Sequence, residues 1–218
     1  MSGQSQFPSL LLGTRNAGKV RELETILGDL PWRLRSLRDF PHVDVAAEIA
    51  LTYAENAIAK AQFYARETGL ITLADDSGLE VEALGGAPGV FSARYAGEGA
   101  SDANRRALLL SELAQQVTRN LEERNLRARF VCVVALAAPH GAVLSTSEGI
   151  CEGQISFDER GTNGFGYDPL FVPDGFNETF AELSDSIKNQ ISHRARALLK
   201  IREFLTTKDC CLLEALTQ

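Results

Sequence analysis

Two acidic residues stand side by side where an apolar run ends, in Ala74-Asp75-Asp76-Ser77-Gly78. A carboxylate there can hold a hard divalent cation or take a proton from water. Adjacent residues of an extended chain point to opposite faces, so both aspartates can meet one ligand only if the chain turns. Asp76, nearer the expected turn, is the active member, and Asp75 braces the loop. Glu48 is the candidate for a second carboxylate. A second group, Thr14-Arg15-Asn16-Ala17-Gly18-Lys19, lies where an apolar run passes into helical spacing. Free amides and the positive end of a helix dipole make such a turn an anion seat. Lys19 falls on nearly the same helix face as Asn16 and adds charge, while Thr14 and Asn16 add directed hydrogen bonds. The GxxxxGK[ST] spacing of a Walker loop is missing.

Gly164-Phe165-Gly166-Tyr167-Asp168-Pro169 combines glycines that let backbone approach a flat ligand with a ring that can stack on it. Lys188 is followed by Ser192-His193-Arg194 at the start of a helix, where Ser192 caps and His193 and Arg194 become donors at the positive end. Each block has an ordinary alternative: an N-cap with a solvated lysine, an Asx-type turn closed by Gly78, a rigid aromatic turn, a capped helix with solvated basic residues.

The elements needed to position these groups follow from periodicity. Leu10, Leu11 and Leu12 end at Gly13 as a strand, and Val20, Leu23 and Leu27 recur at helical spacing. Residues 32–37 read as a second strand. Residues 52–68 read as a helix with Ala54, Ala57, Ile58, Ala61 and Ala65 as its apolar stripe, stopped by Gly69. A strand over 70–74 should end at Asp75, with 79–83 extended beyond it. A helix begins at 101 and extends through the polar stretch 115–127 before looping out. Two strands, 128–138 and 142–153, form a hairpin around Pro139-His140-Gly141. Residues 161–176 read as an ordered loop. A last helix over 192–205 turns Ala195, Leu198, Leu199 and Ile201 inward and leaves the tail, 207–218, without an assigned structure. There is no internal repeat or linker, so one α/β domain of mixed sheet and flanking helices is expected, with two lobes.

Composition narrows the function classes. The chain has 218 residues and a formal net charge of -7, with acidic residues spread throughout, which disfavours a general nucleic-acid-binding surface. Of five lysines, Lys19, Lys60 and Lys188 fall inside the blocks discussed here. Cys132, Cys151, Cys210 and Cys211 form no CxxC pair, and His42, His140 and His193 lack zinc-ligand spacing. The longest mainly apolar run, 130–139, is far short of the ~20 residues that span a bilayer, and the first nine residues contain no apolar signal segment. A reduced, cytoplasmic protein without a membrane partner is the expectation.

Taken in order, the blocks resemble the inosine triphosphate pyrophosphatase family, hydrolases that remove non-standard purine nucleoside triphosphates such as ITP, dITP and XTP. The resemblance covers nearly the whole chain: residues 14–27, Glu48 with Leu51-Thr52-Tyr53-Ala54-Glu55-Asn56-Ala57, residues 74–79, and Leu84-Gly85-Gly86-Ala87-Pro88-Gly89-Val90-Phe91-Ser92-Ala93-Arg94-Tyr95. It resumes at Glu148-Gly149 with Gly153, then residues 161–171, 180–183, Lys188 and Ser192-His193-Arg194. Any one block is common; the ordered set is not. The resemblance implies an elongated α/β fold with two lobes around a central cleft, a homodimer, and Mg²⁺-dependent cleavage to monophosphate and pyrophosphate. It makes Thr14, Asn16, Lys19 and Lys60 the triphosphate cradle, Glu48 and Asp76 the metal carboxylates, and Asp76 the base. Ser77, Phe165, Gly166, Tyr167, Asp168, Lys188, His193 and Arg194 match the positions that hold the nucleoside. Ile49-Ala50 follows Glu48 where the family usually has Thr-Gly, and residues 115–126 and 210–218 look like additions. Two rival readings are a pyrophosphatase of modified pyrimidine triphosphates and a silent nucleotide sensor. The basic block at 192–194 and the Phe165 loop favour purines, and the carboxylates favour hydrolysis.

Overall fold

The computed structural model describes residues 7–119 and 125–207. Expectations for 120–124 and for 208–218 lie outside the described residues. In chain order the elements are β1 (Ser9–Leu12), α1 (Ala17–Leu27), β2 (Arg33–Ser36), α2 (Tyr53–Thr68), β3 (Ile71–Val81), α3 (Asp102–Arg119), β4 (Arg127–Ala137), β5 (Val143–Ile155), β6 (Phe171–Pro173), α4 (Asp185–Ile191) and α5 (His193–Thr207). The strands form one mixed sheet in the order β2-β1-β3-β4-β5-β6. β1 runs parallel to both β2 and β3, and β6 antiparallel to β5. This is the α/β class expected, a mixed sheet with flanking helices. No helix among the described residues is long and apolar enough to cross a membrane.

By its internal contacts the chain divides into two compact units, the first formed by Met1–Asp76, Val133–Glu148 and Arg196–Gln218, the second by Ser77–Cys132 and Gly149–Ala195. In the first, Leu10, Leu11 and Leu12 are fully buried, as the centre of a parallel sheet requires. Ala57, Ala61 and Ala65 of α2 pack on Ala74, Val133, Ala135 and Ala137, small side chains that let the helix lie close to the strands. Gly13 has a similar cause: its N–H donates to Leu73 O at 2.7 Å, and a Cβ there would stand 3.0 Å from the Thr72 methyl and 3.1 Å from Leu73 O. Glycine leaves β1 this close to β3 without strain, whereas any side chain would have to push its neighbours back by a few tenths of an ångström. In the second unit, Leu79, Val81, Leu109 and Leu113 join an aromatic cluster of Phe130, Tyr167, Phe171 and Phe180.

Several expectations are corrected. β3 does not end at Asp75; it continues unbroken through Asp75-Asp76-Ser77-Gly78 to Val81. The loop expected over 161–176 contains β6, and the seven-residue helix α4 precedes α5. Leu199 is 64% exposed rather than inward, because the buried face of α5 is Ala195, Ala197, Leu198, Ile201 and Leu205. Ala54 is likewise exposed, and α2 instead buries Asn56, Lys60 and Tyr64 beside its alanines.

Candidate active site

In the first unit, α1 opens with Asn16, whose Oδ1 accepts from the N–H groups of Gly18 at 2.8 Å and Lys19 at 3.1 Å. Thr14 Oγ1 accepts from Asn16 N at 3.2 Å, so the turn is tied from both ends. The cap is real, as the ordinary alternative has it, yet Lys19 is not simply solvated: its Nζ lies 3.0 Å from Asp75 Oδ2, a carboxylate with no exposure. Asp75 thus braces no loop of its own, since β3 continues through it; it is tied instead to the first turns of α1.

Continuity of β3 turns Asp76 to the opposite face, toward α2. There Asn56 Nδ2 donates to Asp76 Oδ2 at 3.0 Å, and Lys60 Nζ lies 3.6 Å from Asp76 Oδ1 and 2.7 Å from Glu48 Oε1. Asn56 also grips the segment carrying Glu48: its Oδ1 accepts from Ala50 N at 3.0 Å and its Nδ2 donates to Ala50 O at 3.2 Å. Sequence reasoning quoted Asn56 only as part of a block and gave it no role. Its 1% exposure comes from this double duty.

Burial raises Asp76 above the ordinary carboxylate value, and Glu48 adds to the rise; Lys60, Lys19 and the Asn56 hydrogen bond oppose it without cancelling it. Burial also pulls Glu48 upward, but the charge and hydrogen bond of Lys60 outweigh that and hold it low. For Lys60, burial favours the neutral amine, and Asp75, Asp76 and Glu48 together overcome it, so the ammonium is strengthened. A carbon-13 titration of Asp76 in the metal-free protein is expected to show a midpoint above 3.8. Glu48→Gln should move it down by removing a like charge and releasing Lys60. A midpoint at or below 3.8 in the parent chain would contradict the burial argument.

Among the described residues, no three His, Cys, Asp or Glu side chains gather as a metal cage. Glu48 and Asp76 nonetheless turn their oxygens to one cation, the Lys60 ammonium. Two carboxylates so arranged fit a hard ion that keeps most of its waters.

In the second unit, the Phe165 loop is built around a buried ion pair. Asp168 Oδ2 accepts from Lys188 Nζ at 2.6 Å and from Phe165 N at 2.8 Å. Gly164 has φ +75°, and a Cβ on it would fall 2.0 Å from the same Oδ2, so only glycine fits. Lys188 Nζ stands 5.1 Å from the centre of the Phe165 ring and the Arg194 guanidinium carbon 5.8 Å, both within cation–π reach. Arg194 also donates to Ser77 Oγ at 2.9 Å. Ser192 caps α5 by accepting from Ala195 N at 3.2 Å, as anticipated. His193 stacks on Phe130, with centroids 4.6 Å apart and planes within 11°. Phe130, in β4, had no signal in the sequence beyond its apolar type.

The structure thus groups Thr14, Asn16, Lys19, Glu48, Lys60 and Asp76 within the first unit, and Ser77, Phe165, Gly166, Asp168, Lys188, His193 and Arg194 within the second. Tyr167 is 4% exposed, lies in the aromatic core and donates from its hydroxyl to Ser92 O at 3.0 Å, a supporting position.

These groups fall within a stretch shared with known proteins. The model of the Ham1 family matches residues 10–204. A dITP/XTP pyrophosphatase of Exiguobacterium sibiricum is 50% identical over 91% of this chain and 97% of its own length. One of Desulfotalea psychrophila is 47% identical over 90% of this chain and 84% of its own. The solved HAM1 protein of Coxiella burnetii superposes with a TM-score of 0.82 at 40% identity, covering 93% of this chain and all of that one. With the match running from β1 to α5 at such identity, the chain belongs to the Ham1 family.

Proposed function

We infer that the chain is a nucleoside-triphosphate pyrophosphatase that hydrolyses non-standard purine nucleoside triphosphates to the monophosphate and pyrophosphate. The observation that carries this reading is the cluster in which Lys60 sits against both Glu48 and Asp76 beside the capped turn of α1. Family membership and the relatives' shared name support it.

Thr14, Asn16, Lys19 and Lys60 would receive the triphosphate, their amides and ammonium groups offsetting its charge. Glu48 and Asp76 would hold Mg²⁺, which when bound lowers the cost of negative charge on the phosphate oxygens. Asp76 orients a water and takes its proton as the water oxygen bonds to the α-phosphorus. The bond from that phosphorus to the bridging oxygen breaks, and pyrophosphate departs. No covalent enzyme intermediate is needed.

Phe165 offers the stacking face, with Lys188 and Asp168 setting its loop, and His193 and Arg194 supply donors for a 6-oxo group. Adenine places an amino donor there instead. Each donor left unpaired costs ~1 to 3 kcal/mol, so discrimination of about a hundredfold or more follows. Ser77 keeps Arg194 in place. The family resemblance also supports a cytoplasmic location and a homodimer, the latter checked by sedimentation of the purified chain.

The test is a panel of ITP, dITP, XTP, ATP and GTP, assayed for pyrophosphate and orthophosphate with Mg²⁺ and with chelator. Pyrophosphate in step with monophosphate, loss of activity on chelation and ITP preferred to ATP are expected. Orthophosphate as product, or equal turnover of ATP and ITP, would refute the reading.

A further inference from the structure

Phe165 sits between two glycines with left-handed backbone, Gly164 at φ +75° and Gly166 at φ +62°. Neither has a side chain to restrict it, so a ring mounted between them has no rigidity of its own. The N-terminal side is held by Asp168, as described above. The C-terminal side is held by α3. Asp102 Oδ2 accepts from Gly166 N at 2.8 Å, and Arg106 Nη1 donates to Gly166 O at 2.9 Å. The peptide units on both sides of Gly166 are therefore fixed by two side chains four residues apart on one helix face.

The two side chains are themselves held. Arg105 pairs with Asp102 and donates to Ala93 O at 2.6 Å and Ala100 O at 2.8 Å, while Arg106 Nη2 lies 2.9 Å from Glu159 Oε2. Asp102 is not needed to start the helix, because Ser101 does that by accepting from Asn104 N at 3.2 Å. Its carboxylate is free to serve Gly166. Burial alone would raise Asp102, but the Gly166 N–H and Arg105 hold it below the ordinary range, as expected of an ionised acceptor.

We propose that Asp102 and Arg106 are positioning residues for base recognition, holding Gly166 so that the Phe165 ring keeps the orientation in which it stacks on the purine. This rests on the reading that Phe165 is the stacking face. Asp102 and Arg106 act on Gly166, Arg105 and Glu159, none of them a cradle residue, so their loss should weaken binding of the base and leave recognition of the polyphosphate alone.

The experiment uses the full chain and measures KM and kcat for ITP, the inhibition constant of inorganic tripolyphosphate, which has no base, and the melting temperature. Asp102→Ala and Arg106→Ala are each expected to raise KM for ITP about tenfold, the scale of one charge-assisted hydrogen bond, with kcat reduced less than about threefold. Tripolyphosphate inhibition should stay within about twofold of the parent. Asp102→Asn keeps a carbonyl oxygen for Gly166 N–H and should recover most of the loss. Glu159→Gln removes the charge of the half-exposed pair to Arg106 without removing the Gly166 contact, and should raise KM less than about twofold, well below the Arg106→Ala effect. If Asp102→Ala does not fold, Arg106→Ala and Arg106→Lys carry the same comparison. An unchanged KM for ITP in the alanine variants, or an equal weakening of tripolyphosphate, overturns the proposal. The underlying reading fails separately, in the parent chain, if ITP is not hydrolysed at all, and that result removes both.

Discussion

Asp76→Asn lowers ITP turnover by about 10²- to 10⁴-fold, the usual scale for losing a positioned base, and leaves the fold intact. The amide can still accept from Asn56 Nδ2, which now stands 3.0 Å from Asp76 Oδ2, so the geometry of α2 against β3 survives. What is lost is the negative charge that would orient water and help hold a cation. The sign of the stability change follows from the direction of the Asp76 shift. Its folded pKa is raised, so the group favours folding when protonated; that contribution is complete below 3.8 and disappears as pH rises through the folded value. At neutral pH the ionised Asp76 therefore opposes folding, and its neutral amide should melt at the same temperature or higher. Turnover near that of the parent would remove Asp76 from the mechanism. A large fall in melting temperature would show instead that its role is structural.

Asp168→Ala should destabilise the protein by about 3 to 5 kcal/mol, because removing one member of a buried ion pair strands the other. Both side chains of the Lys188–Asp168 pair are 4% exposed, so water does little to compensate the lost partner. The same change releases Phe165 N and empties the space against which Gly164 is packed. Lys188→Met should cost less, since Asp168 keeps the Phe165 N–H and methionine fills much of the lysine stem's volume. Both variants should lose affinity for ITP. Urea unfolding checks the ordering, and a cost below about 1 kcal/mol for Asp168→Ala would mean that the pair is effectively solvated.

How far the sequence could be read depended on how local each cause is. The ends of α2 were legible to within a residue: Thr52 Oγ1 accepts from Glu55 N at 3.2 Å and donates to Glu55 Oε2 at 2.7 Å, and Gly69 closes the helix at φ +67°. The Asn16 and Ser192 caps were legible for the same reason. β6 was not, because three residues carry no periodicity and become a strand only by pairing with β5 over Gly153–Ile155. The apparent break at Asp75 was a false signal: carboxylates inside an apolar run look like a turn until Lys19, Lys60 and Asn56 are seen to compensate them. Candidate residues with a charge or a special backbone stand out by type alone. Asn56 and Phe130 were missed because their work lies in contacts made far along the chain.

The unbroken course of β3 through its two aspartates makes this stretch intolerant of changes in length. Asp75 answers to Lys19 and Asp76 to α2 solely because neighbours in an extended chain face opposite ways. Inserting or deleting one residue upstream within the strand would exchange their faces, bringing an aspartate to each lysine in the wrong register. Natural drift in this enzyme should therefore proceed here by replacement alone, with insertions and deletions confined to its loops.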